Sequence, residues 1–213
     1  MRSSTLLYIV RHGETADNAE RRLAGLSSEG LTPKGFGQMT AAASHLEHSG
    51  VARVLSSTQP RALQASEIIA SSLRVPVQQD TRLCERDFGP YDGLDRDKLA
   101  SIRAELGIVN PEGSQHWEGI EGVESDAQIL ARVEPLVALT ENAIGTDLWV
   151  THAGVIHVIV CHLLRVNRDG FDRFSFSNGS VTALQKTRGK WRLVELWAPR
   201  QGRDEDANRR LPA

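Results

Sequence analysis

The chain has 213 residues, of which 40% are hydrophobic and 24% are charged. This composition is that of an ordinary globular protein, and it excludes a disordered chain and a polytopic membrane protein. The formal net charge of -2 excludes a broad basic surface, so we expect no nucleic-acid or membrane partner.

The first residues enter the first predicted strand without the hydrophobic segment of a signal peptide, so we expect a cytoplasmic protein. Cys84 and Cys161 have neither CxxC nor zinc spacing, and we expect two reduced thiols and no bound metal. The length predicts one domain over residues 1–213.

The first predicted strand is an apolar run, Leu6–Val10, that ends in Arg11, His12 and Gly13. This pattern predicts a buried strand that delivers a cation and an imidazole to the rim of a sheet, where α/β proteins bind ligands. The Arg11 guanidinium suits phosphate oxygens, and Gly13 allows a tight turn close to a bound group. The alternative is a solvated turn after an ordinary strand.

Residues 20–30 have no sustained periodicity and are predicted to form a loop. This loop carries Arg21 and Arg22, which either recognise a second anionic group on a substrate or are simply solvated. A helix is then predicted from Thr32 to about His48, because a threonine and a proline begin it and a glycine follows it.

A second strand is predicted over residues 52–57, followed by a helix that begins near Pro60 and ends at about Leu73. Arg61 lies in the first turn of this helix, where the helix dipole disfavours a cation. A bound anion would remove the conflict, because helix N-termini bind phosphate and an arginine strengthens the site.

A third strand is predicted over residues 75–79, followed by a compact loop that contains two glycines and a proline. Residues 94–122 begin with a short amphipathic helix near 94–106 and continue with few core residues, as expected of a lid over a site. Within this lid-like insertion, Trp117 either stacks on a substrate or pins the loop to the rest of the protein.

A capping box at Ser125 predicts a helix to about Asn142, and a strand over residues 146–151 follows it. That strand ends in His152 before the apolar helix 155–164, which mirrors the pattern at the first strand. Two histidines at the ends of two strands of one parallel sheet can face each other.

Residues 180–197 alternate around a glycine turn, which predicts an antiparallel hairpin, and residues 200–213 are predicted to be a flexible tail. Together the elements predict an α/β fold: a three-layer sandwich with a mostly parallel central sheet flanked by helices. The lid-like insertion and the C-terminal hairpin are additions to it. Exposed sheet edges can pair with those of a second copy, so the sequence is also compatible with a homo-oligomer.

The run Arg11-His12-Gly13-Glu14-Thr15 resembles the signature of the histidine phosphatase superfamily, which includes phosphoglycerate mutases and many small-metabolite phosphatases. Three later stretches resemble the family's other motifs in the same chain order, around Arg61, Glu85 and His152. The resemblance covers nearly the full length and implies a single histidine phosphatase domain.

In this family the first histidine takes up a phosphoryl group, which assigns that role to His12, and the glutamate that protonates the leaving oxygen maps to Glu85. The resemblance implies phosphoryl transfer without a metal or other cofactor. The residues that it places on the phosphate are Arg11, Asn18, Arg61 and His152. Arg21 and Arg86 are further candidates for substrate binding, with Arg86 expected to point away from Glu85.

The sequence favours a phosphomonoesterase that acts on a small phosphorylated metabolite. The second hypothesis is a cofactor-dependent phosphoglycerate mutase, because Glu85-Arg86 resembles the mutase form of that motif. Against it, the loop at Gly25-Leu26 lacks the glycine-tryptophan pair of those mutases. The third hypothesis is a catalytically inactive relative that binds phosphate.

Overall fold

A computed structural model of the protein describes residues 5–26, 29–105, 120–142, 146–166 and 174–200. The strands are β1 (Thr5–Arg11), β2 (Val51–Ser56), β3 (Val77–Gln79), β4 (Thr146–Thr151), β5 (Val181–Thr187) and β6 (Lys190–Trp197). They form one sheet in the order β3-β2-β4-β1-β5-β6. The first four strands in this order run parallel, and β5 is antiparallel to both β1 and β6.

The helices are α1 (Ala16–Ala19), α2 (Pro33–His45), α3 (Pro60–Leu73), α4 (Leu99–Glu105), α5 (Asp126–Asn142) and α6 (Ala153–Leu164). Successive strand residues face opposite sides of the sheet, so β1 buries Leu7 and Ile9 on one side and Val10 on the other. The first side packs against α5 and α6, and the second against α2 and α3. The predicted three-layer α/β fold with its C-terminal hairpin is confirmed.

The boundaries differ from the sequence prediction at several places, and the helix predicted near 94–106 begins only at Leu99. The short helix α1 was not expected; Thr15 and Asn18 form a reciprocal capping box that begins it. Helix α2 ends at His45, three residues early. Strand β3 begins at Val77 rather than at 75, because the Val75 N–H still caps the end of α3 through the carbonyl of Ala70.

Gly13 makes a close approach to another backbone segment. A Cβ atom at Gly13 would lie 2.3 Å from the carbonyl oxygen of Gly35 in α2, and one at Gly35 would lie 2.2 Å from the carbonyl oxygen of Glu14. The two glycines therefore let α2 rest directly on the turn after β1. The approach to a bound group that the sequence suggested for Gly13 is, in this structure, an approach to α2.

The lid-like insertion is described only in part. Residues 96–98 form a 3-10 turn that leads into α4, while residues 106–119, with Trp117, lie outside the described residues. Residues 201–213 of the predicted tail also lie outside them. None of the helices among the described residues is long and apolar enough to cross a membrane.

Candidate active site

The carboxyl ends of three neighbouring parallel strands meet at one edge of the sheet. His12 follows β1, Ser57 follows β2 and His152 follows β4, which lies between the other two strands. The rings of His12 and His152 have centroids 5.0 Å apart and are tilted by 59°. The parallel sheet therefore brings together the two histidines as the sequence predicted.

The His12 imidazole is buried, and its Nδ1 lies 2.7 Å from the carbonyl oxygen of Gly13. A carbonyl oxygen only accepts hydrogen bonds, so Nδ1 carries the proton and Nε2 carries the lone pair. Burial, together with the charges of Arg61 and Arg11, lowers the pKa of His12 well below 6.5. The ring is therefore neutral at neutral pH, with its lone pair on Nε2.

The His152 imidazole is fully buried and lies between two polar side chains. Arg61 donates from Nε to Nδ1 at 3.2 Å, and Nε2 lies 2.9 Å from the Ser57 hydroxyl oxygen. A guanidinium only donates, so Nδ1 is the acceptor and the Nε2–H donates to Ser57. Burial first, then the charge of Arg61, lowers the pKa of His152 well below 6.5.

Arg61 is fully buried in the first turn of α3. Besides His152, its guanidinium binds the carbonyl oxygens of Ala24 (3.0 Å) and Gly25 (2.7 Å). These carbonyl groups partly offset the conflict between a cation and the helix dipole, and they tie the loop after α1 to the floor of the site. Arg61 thus adds a fixed positive charge beneath the two histidines.

Glu85 is 8% exposed, and each of its carboxylate oxygens accepts a backbone N–H. Arg86 N donates to Oε1 at 2.9 Å and Gly154 N donates to Oε2 at 3.3 Å. A Cβ atom at Gly154 would lie 2.6 Å from Oε1, so the start of α6 fits closely against the carboxylate. Glu85 is therefore held in one position at the rim of the site.

A cavity of about 90 Å³ opens at this edge of the sheet. The predicted site residues that line it are Arg11, His12, Asn18, Glu85 and Arg86, while Arg61 and His152 lie behind His12. Arg11 donates from Nη1 to the carbonyl oxygen of Phe176 at 2.7 Å, but its buried Nε has no hydrogen-bond partner among the described residues. An anion in the cavity would lie against this guanidinium, because Arg11 lines the cavity.

Burial, the nearby guanidinium of Arg96 and that of Arg61 lower the pKa of Arg11 to about 10, against an opposing effect of Glu85. Arg11 nevertheless stays charged at neutral pH. A crowded group of cations with a lowered pKa favours the binding of an anion, because the anion offsets their mutual repulsion.

Asn18 lies at the other side of the cavity. Its side-chain oxygen accepts from Asn178 Nδ2 at 2.7 Å and from the Thr15 backbone N–H at 3.4 Å, so the amide offers its N–H donors to a ligand. Asn178 also donates to the backbone carbonyl of His12 at 3.3 Å. The segment before β5 therefore orients both Asn18 and the turn that carries the nucleophile.

Arg86 and Arg21 occupy different environments. The guanidinium of Arg86 is buried against Asp126 and the carbonyl oxygen of Glu124 rather than against the Glu85 carboxylate, although Arg86 also lines the cavity. Arg21 is exposed, pairs with Asp97 at 2.7 Å and does not line the cavity. Substrate binding by these two arginines stays a prediction.

Sequence reasoning missed two polar residues that line the cavity. Arg96 lies in the 3-10 turn before α4 and donates from Nε to the carbonyl oxygen of Arg22 at 3.3 Å. His157 on α6 lies with its two ring nitrogens 2.8 Å and 3.0 Å from the carbonyl oxygens of Ala153 and Phe174. Arg96 is one of many charges in its segment, so the sequence alone did not distinguish it.

The described part of the chain holds no group of three or more histidine, cysteine or acidic side chains that could bind a metal ion. His45, which the sequence places on one helix face with His48, stacks on Trp197 and pairs with Glu195.

The chain is similar to curated bacterial proteins over most of its length. It is 28% identical over 195 residues to a protein named probable phosphoglycerate mutase GpmB from Erwinia tasmaniensis, covering 90% of this chain and 89% of that protein. The protein of the same name from Salmonella newport is 30% identical over 193 residues, with the same coverage.

Solved structures of similar fold include phosphatases. A mycobacterial glucosyl-3-phosphoglycerate phosphatase in complex with VO3 has a TM-score of 0.77 at 26% identity, covering 91% of this chain and 98% of that chain. YhfR from Bacillus stearothermophilus has a TM-score of 0.78 at 26% identity, covering 89% and 95%. The sequence pattern of the histidine phosphatase superfamily (branch 1) matches residues 7–198, and the chain therefore belongs to that superfamily.

Proposed function

We propose that the protein is a phosphomonoesterase that hydrolyses a small phosphorylated metabolite through a phosphohistidine on His12, with Glu85 as general acid and then general base. One observation carries this proposal: a neutral imidazole with its lone pair on Nε2 and a buried carboxyl group line the same cavity of about 90 Å³. That arrangement pairs a nucleophile with a proton donor for the leaving group.

In the first step, Nε2 of His12 attacks phosphorus in line with the ester oxygen. The bond between phosphorus and the ester oxygen breaks, and Glu85 gives its proton to the departing alkoxide, so an alcohol leaves and a phosphohistidine remains. In the second step, Glu85 takes a proton from water while the water oxygen attacks phosphorus. Inorganic phosphate leaves, and His12 and Glu85 return to their starting states.

The charge distribution supports this assignment. The Arg11 guanidinium lines the cavity with a buried donor that has no partner among the described residues, and Asn18 offers N–H donors there. Arg61, which is joined to His152, would add positive charge close to the phosphate. Preorganised donors of this kind stabilise the charge on a transferring phosphoryl group.

A phosphoglycerate mutase is the second candidate, favoured by the names of the sequence relatives. A mutase uses the same pocket but keeps the phosphoryl group on the enzyme and returns it to the substrate. The structural neighbours at 26% identity include a protein named as a phosphatase, and the loop at Gly25-Leu26 lacks the mutase sequence pattern. We therefore place hydrolysis first.

The test is phosphate release from a panel of phosphorylated metabolites without added metal, with 3-phosphoglycerate and its bisphosphate included. Wild-type protein should release phosphate, and His12→Ala should not, while His162→Ala, a change of an exposed histidine on α6, should leave release intact. Isomerisation of phosphoglycerate with little release would replace the proposal by the mutase. Phosphate binding without either reaction would identify an inactive binding protein.

A further inference from the structure

The side chain of Gln59 binds the main chain of two loops beside the active site. It is 7% exposed and lies immediately before α3. Its Oε1 accepts the backbone N–H of Glu85 at 2.8 Å, and its Nε2 donates to the carbonyl oxygen of Gly25 at 2.6 Å. One amide group therefore joins the main chain of Glu85 to the Gly25 loop, which itself binds Asp92 further along the Glu85 segment.

These two contacts need an amide. The N–H of Glu85 requires an acceptor, and the carbonyl oxygen of Gly25, which also accepts from Arg61, takes a second donor; a primary amide supplies both. An apolar side chain of the same length supplies neither and leaves two buried backbone groups without these partners. The requirement at position 59 is therefore specific, and it is not the usual helix cap, because Gln59 makes no side-chain bond to the start of α3.

The position of the Glu85 carboxylate depends on its backbone. Both carboxylate oxygens accept backbone N–H groups, from Arg86 next to it and from Gly154 at the start of α6. A shift of the main chain at residue 85 would change both contacts. Gln59 holds that main chain through the bond from the Glu85 N–H. Its Nε2 binds the carbonyl oxygen of Gly25, which adjoins the cavity residue Ala24.

We infer that Gln59 is a positioning residue that holds the main chain of Glu85 and thereby the general acid in place. This inference rests on the proposed function and deepens it. Gln59 does not line the cavity and so does not touch the substrate there. Its effect passes through the Glu85 backbone.

A positioning role for the acid makes a prediction that a merely structural role does not. An alkoxide is a poor leaving group and needs a proton from Glu85, whereas 4-nitrophenolate leaves with little help. Loss of the correct acid position should therefore slow the phosphorylation of His12 by an alkyl phosphate and not by an aryl phosphate. Because kcat/KM reports the steps through phosphorylation, the ratio of kcat/KM for the two substrates measures acid position.

The experiment compares 2-glycerophosphate with 4-nitrophenyl phosphate in wild-type protein and in Gln59→Met, which keeps side-chain length but removes both contacts. Glu85→Gln supplies the ratio for a site without a general acid. The matched control is Gln64→Met: Gln64 lies one turn further along α3 and also accepts a backbone N–H, that of Leu31 at 2.8 Å, but makes no contact with Glu85.

We expect Gln59→Met to lower kcat/KM for the alkyl phosphate by about tenfold or more relative to the aryl phosphate, in the direction of Glu85→Gln. Gln64→Met should keep the wild-type ratio. If Gln59→Met does not fold, Gln59→Asn, which is one methylene too short to keep both contacts, should shift the ratio in the same direction.

Equal slowing of both substrates in the Gln59 variants, or a wild-type ratio, would overturn the inference while leaving the proposed function in place. A wild-type protein that hydrolyses neither substrate nor any other phosphorylated metabolite would overturn the proposed function and the inference with it. The two failures are thus distinguished by the activity of the unmodified protein.

Discussion

Arg61 Nε lies 3.2 Å from Nδ1 of His152, and this bond keeps one nitrogen of a buried imidazole free of a proton. His152 therefore cannot become an imidazolium without breaking the bond, and burial opposes the charged form as well. Burial and the charges of Arg61 and Arg11 also disfavour the imidazolium form of His12.

The first prediction concerns acid sensitivity. The pKa of both histidines is lowered in the folded protein, while in the unfolded chain it returns to about 6.5, so the unfolded chain binds more protons below that value. Stability from these groups is complete above about pH 6.5 and declines as the pH falls through that value. We expect a lower Tm at about pH 5.5 than at about pH 7.5.

His152→Asn should show a smaller fall in Tm over this interval, because one of the two groups is gone. His162→Asn, a change of an exposed histidine, should fall as the wild type does. A fall in Tm that is the same in all three proteins would contradict the prediction.

The second prediction concerns the fit of α6 against the acid. In Gly154→Ala the new methyl group would lie 2.6 Å from the Glu85 carboxylate, and the end of that side chain can move away. We expect kcat for an alkyl phosphate to fall by about tenfold or more, with the Tm unchanged or higher because alanine favours the helix.

Gly13→Ala is the contrasting variant, since its methyl group would lie 2.3 Å from a backbone oxygen of α2 that cannot move away. It should lower the free energy of unfolding by about 1–3 kcal/mol. Thermal unfolding and alkyl phosphate turnover, measured for both variants, check the pair. A stable, fully active Gly154→Ala protein would show that Glu85 is not held as described.

The third prediction concerns Arg96, which adds a cation to the cavity beyond those that the sequence identified. For a substrate with a second anionic group, Arg96→Gln should raise KM by about tenfold, the value of one charged hydrogen bond. KM for 4-nitrophenyl phosphate, which has no second anionic group, should change little. Arg82→Gln should change neither KM, because Arg82 does not line the cavity and its guanidinium pairs with Asp80. Equal effects of the two variants on KM would show that Arg96 does not take part in substrate selection.

The fourth prediction concerns stability away from the site. Asp147 on β4 is buried and accepts two bonds from Arg53, at 2.8 Å and 3.0 Å, and one from Thr140 at 2.7 Å. Burial alone would raise the pKa of Asp147, but these bonds outweigh it and lower the pKa. Asp147→Asn should lower the free energy of unfolding by about 2 kcal/mol, measured by denaturant titration. Asp97→Asn, which removes an exposed pair, should have almost no effect.

Most of the fold could be predicted because its elements have local causes. The apolar run before Arg11 and the alternation of residues 180–197 identify strands by themselves, and Thr32 with Pro33 identifies a helix start. The errors lie where a local contact decides the boundary. The capping box of Thr15 and Asn18 forms a helix too short for a periodic pattern.

The site could be predicted only where a residue stands in a recognisable local motif. His12 and His152 both follow strands, so parallel pairing brings them together. Gln59 and Asn178 stand in no such motif. Gln59 contacts Glu85, 26 positions away, and Asn178 contacts His12, 166 positions away. Their roles depend on tertiary packing, which the sequence does not state.

The contact between Arg11 and Phe176 spans 165 positions of the chain, and it has a consequence for synthesis on the ribosome. His12 is synthesised long before the carbonyl group that binds its neighbour Arg11. A nascent or prematurely terminated chain that stops before residue 176 therefore carries His12 without this contact. We expect such a product to lack the folded site, because folding of the site awaits the pairing of β5 with β1.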